Sequence, residues 1–364
     1  MLEKILEKDQ LTQADLIFLL GLTDPEDLAL LYQKAYQIKE QMIGRKAYYR
    51  GLIEFSNRCI KDCLYCGIRS SNGQVERFDM TQSEILRMAQ WAYDNEYGSI
   101  VLQSGERQDA EFVDFVTNTL NEIKKIGDGK LGVTLCLGEQ SRETYEKWFA
   151  AGGHRYLLRI ETTNPELYQK IHPSSGGHSF ETRVNCLKTL RELGYQVGTG
   201  VMIGLPGQTI EDLANDILFY EAMDIDMIGM GPYIYHGDTP LGREVAEQNL
   251  NSEEEKARRF ELGLKMIAVT RLYLKDVNIA ATTALQALNP LGREMGLRAG
   301  ANILMPIITI EEHRAKYQLY ENKPCIDDNA DKCKLCLTGR VRSVGDEVGF
   351  GEWGDSPHYQ KKEG

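Results

Sequence analysis

Short apolar or β-branched runs recur along the chain, and each ends in polar residues. A loop follows each run, then a stretch whose apolar positions repeat at helical spacing. The runs predict strands at Tyr48–Phe55, Ser99–Gln103, Gly132–Leu137, Arg155–Ile160, Gln196–Ile203, Met227–Tyr233, Asn278–Thr283 and Asn302–Ile307. Thr81-x-x-Glu84 and Ser252-x-x-Glu255 read as capping boxes, each opening a helix between strands. Glu181–Leu193 followed by Gly194 reads as a helix with its stop. Before the first strand, residues 1–46 read as helical. Thr12 to Leu20 has capping and apolar spacing, and Asp24-Pro25 starts a second helix running to about Met42.

Strands alternating with helices imply βαβ units and a parallel sheet. About eight units predict an α/β fold of the (β/α)8 TIM-barrel type. The competing expectation is an incomplete six-unit barrel with a separate C-terminal segment. Residues 1–46 would be a helical extension, 47–310 the barrel and 311–364 a C-terminal segment. No repeat of 20–50 residues stands out. Barrel sites lie at the C-terminal strand ends, and polar or Gly-rich residues gather there. They include Gln103-Ser104-Gly105-Glu106, Gly138-Glu139, Arg159-Ile160-Glu161-Thr162, Gly204-Leu205-Pro206-Gly207, His236-x-Asp238 and Thr282-Thr283.

Composition narrows the function. The 364 residues carry 42 Lys+Arg against 54 Asp+Glu, a net charge of −12. That balance argues against sequence-independent nucleic-acid binding, which needs clustered cations. No run of 18 apolar residues is present to span a membrane. Leu16–Leu22 lacks the basic flank of a signal peptide. The expected compartment is the cytoplasm, where thiols stay reduced. The eight cysteines then read as ligands, nucleophiles or core residues before disulfides. They fall at 59, 63 and 66, at 136 and 186, and at 325, 333 and 336.

Cys59-x3-Cys63-x2-Cys66 places three thiols in a loop after the first predicted strand. Three thiolates can hold three irons of a 4Fe–4S cube and leave the fourth iron open for chemistry. Zinc would more commonly recruit a fourth Cys or His nearby, and no His lies within eighty residues. With the aromatic Tyr65 before the third Cys, the spacing resembles the radical S-adenosylmethionine (SAM) signature. Within that superfamily the chain resembles the FeFe-hydrogenase maturase family HydE. The residues that carry this are Ile53–Asn57 running into Cys59…Cys66-Gly67, Val101–Glu106, Val133–Glu139, Arg155–Thr162, Gly204–Thr209, Asp238–Leu241 and Ala280–Ala284.

The resemblance runs from roughly residue 45 to 340 in order and spacing. It implies a radical SAM enzyme that acts in assembly of the hydrogenase two-iron subcluster, towards its dithiomethylamine bridge, through a 5′-deoxyadenosyl radical. The substrate would be a small iron–carbonyl–cyanide–cysteine synthon. A low-potential electron donor, and other maturases, would be partners. Cys59, Cys63 and Cys66 would hold the cluster, beside Tyr65 and Cys136. Ser104-Gly105-Glu106 offers backbone acceptors and a carboxylate for the SAM ammonium. Arg183 could pair with the SAM carboxylate, in a fork or singly. Glu161 could accept from ribose or ammonium, with Ile203 and Leu205 near the adenine. Candidate substrate contacts are Gln103, Thr134, Arg159, Thr282, Thr283, Met305, Tyr317 and Tyr320. Thr134 shares a strand face with Cys136, and Arg159 with Glu161.

Cys325-x7-Cys333-x2-Cys336 matches the accessory-cluster spacing of this family, which implies a second 2Fe–2S or 4Fe–4S cluster. Zinc with His313, and apo thiols, are the alternatives. Cys186 reads as a core residue. Cys136, Ile307 and His313 depart from the usual family pattern of Ser, Asn and Tyr and leave the substrate open. His172, His178 and His236 fall on loops and receive no role. Competing functions are a methylornithine-synthase-like mutase, a biotin-synthase-like enzyme and a non-catalytic iron–sulfur carrier.

Overall fold

The computed structural model describes residues 1–173, 177–326 and 329–363. Its centre is a ring of parallel strands. They are β1 (Lys46–Ser56), β2 (Ser99–Ser104), β3 (Gly132–Cys136), β4 (Arg155–Leu157), β5 (Gln196–Thr199), β6 (Met227–Ile228), β7 (Asn278–Ile279) and β8 (Ile303–Leu304). Each pairs in parallel with the next as far as β7, and β8 lies against β1 with Ile303 opposite Tyr48. The ring closes between β7 and β8, where Ala280 bridges Ile303 and Asn302 N donates to Ile279 O at 2.9 Å. This is the eight-stranded barrel that the alternation predicts, and the six-unit alternative falls.

Several predicted strands are shorter than their apolar runs. The run after β5 breaks at Gly200, where a Cβ would sit 2.2 Å from Gly229 O. Two backbones pass that closely only without a side chain. Met202–Ile203 then pairs with Gly231–Pro232 in a ladder of its own. The run after β7 ends at Ile279, and Thr283 opens the helix Thr283–Leu288. Tandem threonines there occupy a helix start, not a strand end. The Thr81 box is reciprocal with Glu84, as expected. At Ser252 only half forms: the hydroxyl accepts from Glu255 N, while the Glu255 carboxylate turns to Arg258 at 2.9 Å.

Residue parity in β1 sorts the barrel's inside from its outside. Leu52 and Glu54 face the main cavity, and Arg50 lines a smaller one below it. Tyr49 faces outward, its hydroxyl 3.2 Å from Thr338 Oγ1 on the helix Ala330–Ser343. The helices Gln13–Leu20 and Pro25–Met42 pack on the long helix Glu253–Leu274.

After β8 the tail wraps the barrel. Residues 316–323 cross its mouth, the helix Ala330–Ser343 runs down its flank, and Glu347–Val348 pairs with the start of β1. The chain then closes the bottom. Gly354 O accepts from Arg50 Nη2 at 3.3 Å, and Asp355 Oδ1 accepts from the buried Arg155 Nη2 at 2.6 Å.

The last helix, Pro357–Glu363, is latched by His358. Its Nε2 lies 2.8 Å from Asp224 Oδ1 and its Nδ1 3.1 Å from Asp276 Oδ1. The hydrogen bond with Asp276 raises the imidazole's pKa, and partial burial only weakens that effect. A raised basic group stabilises the fold fully below its ordinary value of about 6.5, and the gain is lost as pH rises through the folded value. His358→Ala should therefore cost up to about 1 kcal/mol at pH 6 and almost nothing at pH 9, given the partial exposure. Thermal denaturation at the two pH values checks this. Equal losses at both would mean that the imidazole latches the helix without its charge.

Candidate active site

A cavity of about 290 Å³ opens at the C-terminal ends of the strands. Cys59, Cys63 and Cys66 form part of its wall. They sit in the irregular loop after β1, which the chain holds from several sides. Arg77 donates to the carbonyls of Asn57 (2.6 Å), Ile68 (2.8 Å) and Arg69 (2.6 Å). Gly105 lets β2's exit approach the loop, because a Cβ there would lie 2.2 Å from Arg58 O and 2.8 Å from Cys59 Cβ. Glu106 N points at Cys59 Sγ, 3.3 Å away.

Burial pushes all three thiols up, Cys66 to about 12, and at Cys63 and Cys66 the neighbouring thiols push further. These thiols are protonated until a metal displaces the protons. Among the described residues, one set of three ligand atoms within 4.8 Å of one another joins Cys63 to His172 and His178, without the other two thiols. In a multi-iron cluster each thiolate takes its own iron, so the three thiols need not crowd around one ion.

Beside the thiols lies a buried quartet of two cations and two carboxylates. Arg183 Nε contacts Glu139 Oε1 at 2.6 Å, and Lys61 Nζ contacts Glu139 Oε2 at 2.8 Å. Glu106 is 3.4 Å from Lys61 and 3.8 Å from Arg183. The two carboxylates respond in opposite senses. Burial raises Glu139, but Arg183 and Lys61 outweigh it and hold it low. Burial wins at Glu106, which is raised. Arg183 Nη1 donates to Arg159 O at 2.8 Å, and Nη2 faces Glu106. Each Nη carries a second N–H, so donors remain for a ligand carboxylate.

Next to the quartet, Arg159 Nη2 pairs with Glu161 Oε2 at 3.0 Å. Glu161 holds a left-handed backbone, φ 67°, at a bridge to Val201. Tyr65 also lines the cavity, and its hydroxyl is 3.1 Å from His172 Nε2. His172 Nδ1 lies 2.9 Å from Tyr168 O, a group that only accepts. The proton is therefore on Nδ1, and Nε2 accepts from the tyrosine. Burial, then the charge of Arg183, brings His172 down to about 2, so the ring is neutral. His178 Nε2 is 3.9 Å from Cys63 Sγ. No sequence spacing shows these two histidines beside the cysteine loop, because more than a hundred residues intervene.

Most predicted contacts meet here. Ser104, Gly105 and Cys136 line the wall with the residues above. Gln103, Thr282, Thr283, Met305, Tyr317 and Tyr320 line its inner part. Gln103 Nε2 donates to Tyr317 OH at 3.2 Å, and Thr283 Oγ1 is 2.8 Å from Tyr320 OH. The buried Thr282 hydroxyl has no protein partner. Three predicted residues lie off this wall. Thr134 faces the small lower cavity of about 20 Å³ with Arg50 and Met227. Ile203 is in the main core, and Leu205 packs behind Tyr65. Sequence reading also misses Glu54 and Lys323. Both line the cavity, joined at 2.6 Å through both carboxylate oxygens.

The second cysteine triplet lies outside the barrel, behind the outward face of β1. Cys333 is buried and Cys336 exposed on the helix Ala330–Ser343, and Cys325 lies in the loop before it with φ 65°. A hydrogen bond with Cys325 raises the Cys333 thiol. His313 does not join them. It stacks on Phe78 with ring centres 4.4 Å apart, and its close ligand neighbours are Glu84 and Glu312. Cys186 is in the core, near Gln140 O.

The family described as the Radical SAM superfamily matches residues 53–220. The chain is 44% identical to the [FeFe] hydrogenase maturase subunit HydE of Thermotoga maritima over 97% of this chain and 96% of that one. It is 28% identical to 3-methylornithine synthase of Methanosarcina acetivorans, over 84% of this chain and 82% of that one. Among solved structures it resembles methylornithine synthase PylB, with a TM-score of 0.79, 25% identity, and 96% and 97% of the two chains covered.

Proposed function

This chain belongs to the HydE family of radical SAM enzymes, and on that premise we propose that it acts in maturation of FeFe hydrogenase, on the precursor of the two-iron subcluster. Family membership brings a 4Fe–4S cluster and SAM as cofactors. When bound and reduced, the cluster supplies the electron that splits the SAM sulfonium to methionine and a 5′-deoxyadenosyl radical. The residues at hand fit both groups. The three thiols would hold the cluster, and Glu106, Glu161 and Arg183 would hold the charged ends of SAM. The single observation that carries the reading is that the three thiols share one cavity wall with Lys61, Glu106 and Arg183 of the buried charge quartet.

The chain's own part is to bind, orient and exclude water. The tail across the mouth and the plug at the bottom enclose the lumen, and enclosure shields a reactive radical. Thr282, Thr283, Gln103, Arg159 and the tyrosines of the tail give the inner wall hydrogen-bonding groups suited to a compact, polar iron–carbonyl–cyanide–cysteine synthon. The C-terminal triplet would hold a 2Fe–2S or 4Fe–4S cluster outside the catalytic chamber. A low-potential donor, and other maturases, are the partners this reading requires. No helix among the described residues is long and apolar enough to cross a membrane.

The test is anaerobic reconstitution with SAM and reductant, with and without the synthon. Methionine and 5′-deoxyadenosine should form, faster when the synthon is present. A protein that holds its cluster yet leaves SAM intact would end the enzyme reading. The 0.79 TM-score to PylB favours one second reading, a mutase of the methylornithine-synthase kind. Formation of 3-methylornithine, with no response to the synthon, would choose it.

A further inference from the structure

Arg293, on the helix Gly292–Arg298, is 1% exposed. None of its three guanidinium nitrogens has a hydrogen-bond partner. No carboxylate among the described residues pairs with it, and no other described arginine has all three nitrogens buried and unpartnered. A buried charge without a partner costs several kcal/mol, so such a group is retained where an anion meets it.

The surroundings say which anion. The positive charge of Arg293 acts on the Cys333 thiol and on the phenols of Tyr49 and Tyr320. The helices carrying Arg293 and Cys333 pack together, tied by Arg340 Nη1 to Glu294 at 2.9 Å. Two further guanidinium groups border the triplet and are committed elsewhere. Arg340 Nε points at Cys336 Sγ, 3.4 Å away, while its Nη1 holds Glu294. Arg314 donates to Thr309 O at 2.6 Å and to Cys325 O at 3.1 Å. Three cysteines thus sit among three arginines, and Arg293 alone has its whole fork uncommitted.

We propose that Arg293 is the counter-charge and hydrogen-bond donor for an anionic iron–sulfur group held by Cys325, Cys333 and Cys336. The proposal rests on the reading that this triplet holds a cluster. Thiolates and bridging sulfides carry net negative charge, and hydrogen bonds to sulfur together with nearby charge set a cluster's potential. A planar guanidinium presents several donors to such a surface at once. Arg293 is then a positioning residue. It holds the group in place and makes it easier to reduce.

The experiment uses the full chain with Cys59, Cys63 and Cys66 all replaced by alanine, so that only the tail can bind iron. Iron and sulfide per chain, the midpoint potential by EPR-monitored titration, and thermal melts of the apo and reconstituted forms are measured. Arg293→Met should weaken iron retention about 10- to 100-fold, the range for lost outer-shell partners, and move the potential negative. Arg293→Lys should fall between. In melts the order should cross: apo Arg293→Met above its apo parent, because an unpaired charge is gone, and the reconstituted variant below its parent. Should Arg293→Met fail to fold, Arg293→Gln carries the same comparison. Parental iron retention and potential in the neutral variant would overturn the proposal. If adding Cys325→Ala, Cys333→Ala and Cys336→Ala leaves iron binding unchanged, the cluster reading itself fails, whatever Arg293 does.

Discussion

Replacing any one of Cys59, Cys63 or Cys66 by alanine should abolish SAM cleavage, while Cys325→Ala should leave it intact. The three thiols share one loop and one cavity, and each would ligate its own iron. Losing one leaves an iron without its ligand from the loop after β1. Residues acting as one unit lose nearly everything at the first removal. The three single variants should therefore match the triple variant in activity and iron content. Burial raises these thiols, so metal loading must release protons, and reconstitution should slow as pH falls. Cys325 is different in kind. It pairs with Cys333 on the helix that meets the outward-facing Tyr49, and it is not part of the cavity wall. Chromatography of methionine and 5′-deoxyadenosine, beside iron analysis, reads both arms. If Cys325→Ala stopped cleavage while iron at the first triplet stayed loaded, the outer triplet would be part of the catalytic machinery.

What sequence revealed here was what is local. The alternation of strand and helix patterns is a short-range signal, and it led to eight parallel strands. Each cysteine triplet spans only a few residues, so its ligand set could be read directly. Strand ends were less legible, because tertiary contacts set them. Arg155–Ile160 and Gln196–Ile203 each read as one strand, yet Gly200 pressed against Gly229 divides the second, and the bridge at Glu161 follows the end of the first. That division explains why Ile203 lies in the core while Met202 reaches the cavity. Thr282 and Thr283 suit strands by propensity, but the chain turns into a helix there.

Pairings across the barrel left no sequence signal. Lys323 meets Glu54 across 269 positions, and His178 reaches Cys63 across 115. Arg293 sits in a short helix of ordinary composition, and nothing in its spacing marks it as unpaired. Arg183 was legible as a charge near SAM. Its commitment to Glu139 was not, because that contact joins two separate βα units.

That commitment makes Arg183→Met the other substitution with a large expected effect. Arg183 neutralises Glu139 directly and Glu106 at longer range, in a quartet in which every side chain is less than 10% exposed. Without it, two buried carboxylates face Lys61 alone. Breaking a buried pair from one side costs about 3–5 kcal/mol. The loss should depend on pH with a definite sign. Glu139 is held below its ordinary range, so its stabilising share is present above that range and lost as pH falls. The gap between Arg183→Met and the parent should be widest near pH 7–8 and shrink towards pH 4, where protonation relieves the stranded charges.

SAM affinity should fall as well, by about 100-fold, the scale of truncating one partner of a buried charge pair. Arg183→Lys should recover part of the stability, because a point charge still faces the carboxylates, but less of the affinity, since lysine lacks the fork that reaches both Glu139 and a ligand. Glu139→Gln separates the two roles. It disturbs the quartet but keeps the Arg183 charge, so it should lose stability and retain most SAM binding. Melts across pH and anaerobic equilibrium dialysis with SAM measure these effects. If Arg183→Met bound SAM within twofold of the parent, Arg183 would belong to the scaffold of the cavity and not to its grip on SAM.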